Sequence, residues 1–219
     1  MEENNFSYSP SAPKSNSIFM DIIQTIIIAL AITVVIYMFI ATPHQVDGES
    51  MEPNFENAEL LLTNKIIQLI GDKSIGDALN YDYERGDVII FQQQGRPDFI
   101  KRIIAASGDT IMVEDNKLIV NGMEIDEKYI PSSPDFKLTL PNPDIAFLID
   151  GQERTVPQNK YFVMGDNRQH SQDSRFASVG WVDRSEIKGK VFLRYWPLGS
   201  FGLIPRGKYE EMEYNSNDS

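Results

Sequence analysis

The chain has 219 residues, no cysteine, two histidines and a formal net charge of −12. This acidity argues against a nucleic-acid-binding protein, because phosphate binding requires clustered lysine and arginine. The absence of cysteine excludes a disulfide scaffold, and two histidines leave too few soft ligands for a structural zinc site. We therefore expect no metal, no cofactor and no nucleic-acid partner.

The N-terminal part of the chain divides into a polar tail and one long apolar run. Residues 1–17 are rich in Ser, Asn and Pro, a composition that cannot bury enough apolar surface to fold, so we expect a disordered tail. The run Ile22 to Ile40 is long enough to cross a bilayer. It is too long for the apolar core of a cleavable signal sequence. We predict a transmembrane anchor over 18–41.

The flanks of this anchor predict its orientation. Lys14 precedes it, and no Lys or Arg occurs between that residue and Lys65. Because cytoplasmic flanks carry the excess of Lys and Arg, this distribution favours a cytoplasmic N-terminus and a body outside the cytoplasm.

The body that follows is dominated by short runs of β-type residues. Asn121-Gly122 separates two of them and predicts a tight hairpin, because both turn positions need φ > 0. We predict a mainly β body over 42–206, one short helix from Asn64 to Ile70 and a flexible acidic tail over 207–219. The predicted strands are Glu59 to Thr63, Asp87 to Phe91, Phe99 to Ala105, Thr110 to Val113, Leu118 to Val120, Met123 to Ile125, Tyr161 to Met164 and Val191 to Trp196, with irregular stretches at 72–84 and 131–157.

Ser50 is the first candidate for chemistry. A serine hydroxyl is a poor nucleophile unless a neighbouring base removes its proton. Gly48 and Pro53 place permissive and rigid backbone on either side of Ser50, which suits a tight presentation of its Oγ. The same residues are typical of an ordinary turn after a linker, and taken alone the pattern favours that turn.

Lys101 is the candidate base. It lies next to Arg102 in the apolar run Phe99 to Ile104, so period-2 alternation places the two cations on opposite faces of one strand. Both faces also carry apolar residues, so we expect one of these cations in partly buried surroundings. Burial lowers the pKa of a lysine and makes a neutral amine available, whereas arginine stays protonated. A lysine whose stem packs while its ammonium reaches water is the alternative, and both remain open.

The segment Gly165 to Arg175 follows a predicted strand and is dense in polar groups. Such a segment can hold a site together through hydrogen bonds between side chains and backbone and through an Asp–Arg pair. A solvated loop has a similar composition, so composition alone does not distinguish the two.

Four segments in chain order resemble the type I signal peptidases, the membrane-bound serine proteases that use a Ser-Lys dyad. The resemblance covers nearly the whole chain from Ser17 to Ile204, and four matches in order after a membrane anchor are specific. A further segment near the end of the chain, Gly189 to Leu198, looks most like the cyanobacterial and plastid branch of this family. The four segments are Gly48 to Pro53, Arg85 to Phe91, Ile100 to Ala105 with Gly108-Asp109, and Gly165 to Arg175.

The resemblance implies roles for eight residues of this chain. Ser50 matches the nucleophile and Lys101 the general base. The other six would support the site or border the pocket for the small P1 side chain: Ser171 would orient the lysine amine, Asp173 and Arg175 would form a structural ion pair, Asp166 would be a supporting carboxylate, and Met51 and Phe99 would border the pocket.

One position departs from part of the family. Some members carry a serine two residues before the nucleophile, whose hydroxyl contributes to the oxyanion hole, whereas this chain has Gly48. The hole would then rely on backbone N–H groups, that of Ser50 itself among them.

The resemblance also implies a fold, an activity and a location. The fold would be a coiled antiparallel sheet, and the activity would be removal of signal peptides from exported preproteins by cleavage after small residues of Ala-x-Ala type. The protein would cross the cell membrane once, or a thylakoid membrane, with its catalytic domain on the periplasmic or lumenal side. Its partners would be preprotein substrates and membrane lipid.

Other functions remain compatible with parts of the sequence. A Ser-His hydrolase would use His170 or His44 as its base. A membrane-tethered β-rich domain that only binds exported proteins would not need Ser50. The self-cleaving Ser-Lys repressors share the dyad, but they are soluble and carry a DNA-binding domain, which disfavours them here.

Overall fold

The computed structural model describes residues 15–70, 82–131, 138–140 and 142–213, and the chain forms two compact units that divide between Met38 and Phe39. In the first unit the structure describes helix α1 (Ser15–Phe39), whose last residue falls at this boundary. Its stretch Ile18–Tyr37 is long and apolar enough to cross a membrane, judged by length and composition alone.

The helix α1 exposes apolar side chains around its whole circumference, which suits a lipid environment and not a water-facing surface. The hydroxyls of Thr25 and Thr33 donate to the carbonyls four residues earlier, each at 2.8 Å. The polar groups of these two threonines are therefore satisfied within the helix, as an apolar medium requires. Residues 15–17 belong to this helix, so the prediction of a disordered tail up to residue 17 is wrong for them. Ser and Asn are common at helix N-termini.

The second unit is a mainly β body, as predicted. Its one α-helix among the described residues is α2 (Ile66–Ile70), shorter than predicted because the side chain of Asn64 accepts the Ile66 N–H at 2.8 Å, ahead of the first turn. The strands are β1 (Ala41–Gln45), β2 (Leu60–Asn64), β3 (Val88–Phe91), β4 (Phe99–Ala105), β5 (Thr110–Glu114), β6 (Lys117–Val120), β7 (Met123–Glu127), β8 (Arg154–Thr155), β9 (Lys160–Met164), β10 (Val182–Asp183), β11 (Ile187–Trp196), β12 (Gly202–Leu203) and β13 (Tyr209–Glu213).

These strands form two antiparallel sheets. The larger has the order β1-β2-β11-β3-β4-β9-β10, with β12 paired to β11, and the smaller has the order β13-β7-β6-β5-β8. Register shifts in β11 and between β4 and β9 mark bulges, which bend and twist a sheet. The larger sheet is curled for this reason, and the predicted coiled antiparallel fold is confirmed.

Strand β4 lies at the centre of the core. From Ile100 to Ala105 every residue is buried, because apolar clusters pack against both of its faces. Both cations of the strand, Lys101 and Arg102, are consequently buried, at 2% and 3% exposure. The sequence had predicted this environment for one of them.

The eight predicted strands are present, with ends that differ by a few residues. The predicted hairpin joins β6 to β7, with φ of 55° at Asn121 and 74° at Gly122. The strands that were not predicted are β1, β8, β10, β12 and β13. The predicted irregular stretch 72–84 lies almost wholly outside the described residues, and 131–157 contains a 3-10 turn at Pro143–Ile145.

The predicted flexible tail requires a correction, since β13 lies inside 207–219 and pairs with β7. Arg85 fixes this strand, donating to Glu211 at 2.8 Å and lying 4.9 Å from the centre of the Tyr209 ring. The acidic composition suggested a solvated tail, but the free edge of β7 and one arginine from another part of the chain order it.

Candidate active site

Ser50 lies in a tight turn that follows β1. The Gly48 N–H donates to Asn57 Oδ1 at 2.9 Å, and the Phe55 N–H donates to the Met51 carbonyl at 3.0 Å. Gly48 has φ +86°, a conformation that favours glycine. The side chains of Met51 and Phe55 are buried in one apolar cluster. The turn thus presents the Ser50 hydroxyl on a backbone that is fixed on both sides.

The amine of Lys101 lies beside this hydroxyl. Its Nζ is 2.7 Å from Ser50 Oγ and 2.8 Å from the Ile100 carbonyl oxygen. Burial lowers the pKa of Lys101 to about 8, against the opposing effect of Asp173 and Asp166. Of the two environments that the sequence left open for this lysine, the structure has the buried one.

Asp173 and Arg175 form a buried ion pair. Arg175 Nε and Nη2 donate to the two carboxylate oxygens at 2.8 and 3.0 Å, and the Gly165 N–H donates to Oδ2 at 3.0 Å. Burial alone would raise the pKa of Asp173, but the Arg175 guanidinium and these hydrogen bonds hold it below its usual value. Asp173 is therefore ionised, and its negative charge acts on the amine of Lys101.

Gly165 allows the Ser171 side chain and the Ser50 turn to meet. A Cβ at Gly165 would lie 2.2 Å from Ser171 Oγ and 2.4 Å from the Ser50 carbonyl oxygen, far inside normal contact distance. Ser171 is itself buried. Among the described residues, however, no hydrogen bond joins its Oγ to the Lys101 amine. Its role in orienting that amine stays a prediction.

Asp166 binds Arg102, the neighbour of Lys101 on β4. Arg102 Nε and Nη2 donate to its two oxygens at 2.9 and 2.6 Å. Asn54 Nδ2 also donates to Asp166 Oδ2 at 2.9 Å and to the Tyr129 carbonyl at 2.8 Å. The chain that follows Ser50 is thereby tied to the same carboxylate that neutralises Arg102.

Three asparagines for which the sequence predicted no role fix the Ser50 turn. The Asn167 N–H donates to the Ser50 carbonyl and its Nδ2 donates to the Glu49 carbonyl, both at 3.1 Å. Asn57 Oδ1 accepts the Gly48 N–H ahead of Ser50, and Asn54, which follows Ser50, holds the turn by donating to Asp166 Oδ2 and to the Tyr129 carbonyl. In sequence, an asparagine that binds a distant backbone group looks the same as one in an ordinary turn.

A small pocket opens beside Ser50 and Lys101. Its volume is about 80 Å³, far below the roughly 300–1,000 Å³ of sites for drug-sized ligands. Phe99 lies in its wall. Met51, which was predicted to border a P1 pocket, is fully buried in an apolar cluster and is not among the described residues that line this one. Its part in substrate binding stays a prediction.

Neither histidine takes the place of Lys101. In the described part of the chain, no hydrogen bond joins Ser50 Oγ to His44 or His170. His170 is exposed, with Nδ1 3.3 Å from Asn167 Oδ1. His44 lies in the pocket wall with Nδ1 3.7 Å from Asp98 Oδ2, and burial lowers its pKa. The residues described also contain no group of three or more His, Asp or Glu that could hold a metal ion.

Comparison with known proteins identifies the family. A family model described as signal peptidase, peptidase S26, matches residues 19–196. The chain belongs to this family. The signal peptidase I P of Bacillus subtilis subsp. natto is 36% identical over 186 residues, which cover 84% of this chain and 92% of that protein. The signal peptidase IB of Staphylococcus aureus (strain Mu50 / ATCC 700699) is 33% identical over 190 residues, with 82% and 90% covered.

A solved structure is also similar. A signal peptidase I from Enterococcus faecalis V583 is 28% identical, covers 50% of this chain and 96% of its own, and has a TM-score of 0.39. The predicted resemblance to the cyanobacterial and plastid branch is not tested by these relatives and stays a prediction.

Membership of the signal peptidases defines the general activity. The protein is a hydrolase of the serine endopeptidase class, and its substrates are preproteins that carry signal peptides. The apolar helix α1 fits an association with the membrane.

Proposed function

We propose that this signal peptidase removes signal peptides with Ser50 as nucleophile and Lys101 as general base. The observation that carries the proposal is the 2.7 Å separation of Lys101 Nζ and Ser50 Oγ in a buried site. Two groups at this distance can exchange a proton directly. Among the described residues, Ser50 Oγ has no other hydrogen-bonding partner.

The chemistry follows from the protonation state of the amine. Neutral Lys101 takes the proton of Ser50 Oγ as that oxygen attacks the scissile carbonyl carbon. The resulting ammonium gives its proton to the leaving amine of the mature protein, and the peptide bond breaks to leave an acyl-enzyme. Lys101, neutral again, then takes a proton from water, which attacks the ester carbonyl carbon. The ammonium returns that proton to Ser50 Oγ as the ester bond breaks and the signal peptide is released.

The developing oxyanion needs hydrogen-bond donors. In the described residues the Ser50 backbone N–H donates to no protein acceptor, so it is available for this purpose. At Gly48 there is open space around the position of a Cβ, but the residue has φ +86°, where a serine would be strained. These features support an oxyanion hole built from backbone N–H groups.

The start of β4 can bind an extended substrate. Phe99, Ile100 and Lys101 pair with β3 on one side, whereas β9 pairs with β4 only from Arg102 onwards. On that second side, no described strand covers the first three residues. An extended peptide can therefore add to this edge through main-chain hydrogen bonds. The pocket of about 80 Å³ beside Ser50 suits a small P1 side chain and supports cleavage after Ala-x-Ala.

We further propose that α1 anchors the protein with its N-terminus in the cytoplasm and its body on the periplasmic or lumenal side, of the cell membrane or a thylakoid membrane. The low Lys and Arg content after the helix supports this orientation. An anchor of this kind raises the effective concentration of the site for preproteins in the same bilayer.

The test is cleavage of a preprotein with Ala-x-Ala before the cut by the full chain in detergent. Ser50→Ala and Lys101→Ala should each lose activity by at least about 10³-fold, since a nucleophile and its base act as a unit. Ser107→Ala, at an exposed residue, and Lys117→Ala, at a partly exposed one, lie outside the site and serve as matched controls. Accurate cleavage by Ser50→Ala or Lys101→Ala would refute the mechanism, and a protein that only binds preproteins would be unaffected by Ser50→Ala.

A further inference from the structure

A second, larger cavity lies next to the Ser50 turn and has no part in the chemistry described so far. Its volume is about 340 Å³. On one side it is lined by Glu52 and Pro53, which follow Ser50 in the turn, and on the other by the segment Asp166 to Gln169. Ile130 and Pro131 complete the lining.

Within the segment that carries Ser50, the residues that line this cavity and those that line the small pocket lie on opposite sides of the nucleophile. From that segment the small pocket is lined by His44, Gln45 and Asp47, which precede Ser50, and by Ser50 itself; Ile90 and the stretch Asp98 to Lys101 complete its wall. The cavity is lined by the two residues at positions 52 and 53, and the two sites share no lining residue. Asn167 joins the wall of the cavity to the Ser50 turn, because its backbone N–H donates to the Ser50 main-chain carbonyl at 3.1 Å.

We propose that this cavity binds the first residues of the mature protein, on the far side of the scissile bond, and that Glu52 makes it prefer basic or neutral side chains there over acidic ones. The proposal rests on the proposed function, since it assigns the small pocket to the residues before the cut. A substrate that runs past Ser50 leaves the small pocket and enters this cavity.

The charge of the cavity comes from one carboxylate. Asp166 is neutralised by Arg102 at 2.6 Å, and Arg168 is paired with Glu127. Glu52 forms no ion pair with any described residue and is partly exposed. A single unpaired carboxylate at the wall attracts a cationic side chain and repels an anionic one, by an amount that solvent and salt reduce.

The experiment compares three peptides that share an Ala-x-Ala sequence before the cut and carry Lys, Gln or Glu at the second position after it. With the full chain in neutral detergent at low salt, kcat/KM should fall in the order Lys, Gln, Glu, with about two- to fivefold at each step. The differences in kcat/KM among the three peptides should become smaller at 0.5 M salt. Glu52→Gln should also make them smaller. Glu56→Gln makes the same charge change on an exposed residue outside the lining, and it should leave the order intact.

Binding separates this proposal from the proposed function. The same peptides are titrated onto the Ser50→Ala protein, where Kd should follow the same order. Charge-ordered binding without cleavage by the unmodified protein would refute the proposed function and support the cavity. The cavity proposal would be overturned if kcat/KM and Kd were the same for all three peptides. It would also be overturned if Glu56→Gln reduced the differences between the peptides as much as Glu52→Gln does.

Discussion

Lys101 and Arg102 are consecutive buried cations on β4, but of the two only Arg102 has a carboxylate within hydrogen-bonding distance in the part of the chain that the structure describes. Arg102 is bound by both oxygens of Asp166 at 2.9 and 2.6 Å. The Lys101 amine donates to the Ser50 hydroxyl and to the Ile100 carbonyl, and among the described residues it has no other hydrogen-bonding partner. Because a paired guanidinium keeps its proton while burial without a bound carboxylate favours the neutral amine, the strand holds one permanent cation and one group that can act as a base.

The pH dependence of cleavage should follow the amine of Lys101. Burial lowers its pKa to about 8, and the active form is the neutral one, which is present above that pKa. We therefore expect kcat/KM to rise about tenfold per pH unit below pH 8 and to level off above it. A pH–rate profile with an uncharged peptide measures this. A profile in which kcat/KM rises with an apparent pKa near 6.5 would instead indicate a histidine base.

Gly165→Ala should impair both stability and activity. Its Cβ would lie 2.2 Å from Ser171 Oγ and 2.4 Å from the Ser50 carbonyl oxygen, so the turn or the serine must move. We expect a loss of about 1–3 kcal/mol in the free energy of unfolding and at least about 10²-fold in kcat/KM. Gly199→Ala is the matched control, since its Cβ would meet no atom within 4 Å. Equal behaviour of the two variants in denaturant unfolding and peptide cleavage would contradict this account.

Removal of Arg102, the ion-pair partner of Asp166, should destabilise the fold. Arg102→Met leaves a carboxylate of 0% side-chain exposure without its cation, and we expect a loss of about 3–5 kcal/mol in unfolding free energy. The double variant Arg102→Met with Asp166→Leu should lose less, because no charge is left buried. Lys117→Met breaks a partly exposed ion pair with Glu124, and this control should cost less than about 1 kcal/mol. A double variant that is less stable than Arg102→Met would rule out this explanation.

The small pocket should limit the size of the P1 side chain. Phe99 lies in the wall of a cavity of about 80 Å³, so truncation of its ring enlarges the space. Phe99→Ala should raise kcat/KM for a P1 valine peptide relative to the alanine peptide by about tenfold, as expected for one or two methyl groups. Phe201→Ala truncates an exposed ring and should leave the ratio unchanged. An unchanged ratio in Phe99→Ala would place the P1 side chain elsewhere.

Local sequence patterns predicted most of the fold. Alternation identified the long strands such as β4, and Asn121-Gly122 identified its hairpin, because these signals depend only on neighbouring residues. Strand β13 was missed since its order depends on the free edge of β7 and on Arg85, more than a hundred residues away in the chain. Local patterns do not contain such partners.

Local sequence patterns predicted less of the candidate site than of the fold. Ser50 and Lys101 are 51 positions apart, and the curl of the sheet that joins them is not visible in either segment. Their pairing was predicted by resemblance to a family and not by periodicity. The close approach at Gly165 and the hydrogen bonds of Asn54 and Asn167 were missed, because they depend on contacts between segments.

The most direct measurement of the central claim is the titration of the Lys101 amine itself. The Cε resonances of lysines are followed by NMR against pH in the full chain with Ser50→Ala, and Lys101 is assigned by comparison with Lys101→Arg. We predict a pKa of about 8, matching the limb of the pH–rate profile. An amine that titrates near the ordinary value of 10.5 would contradict a neutral lysine base.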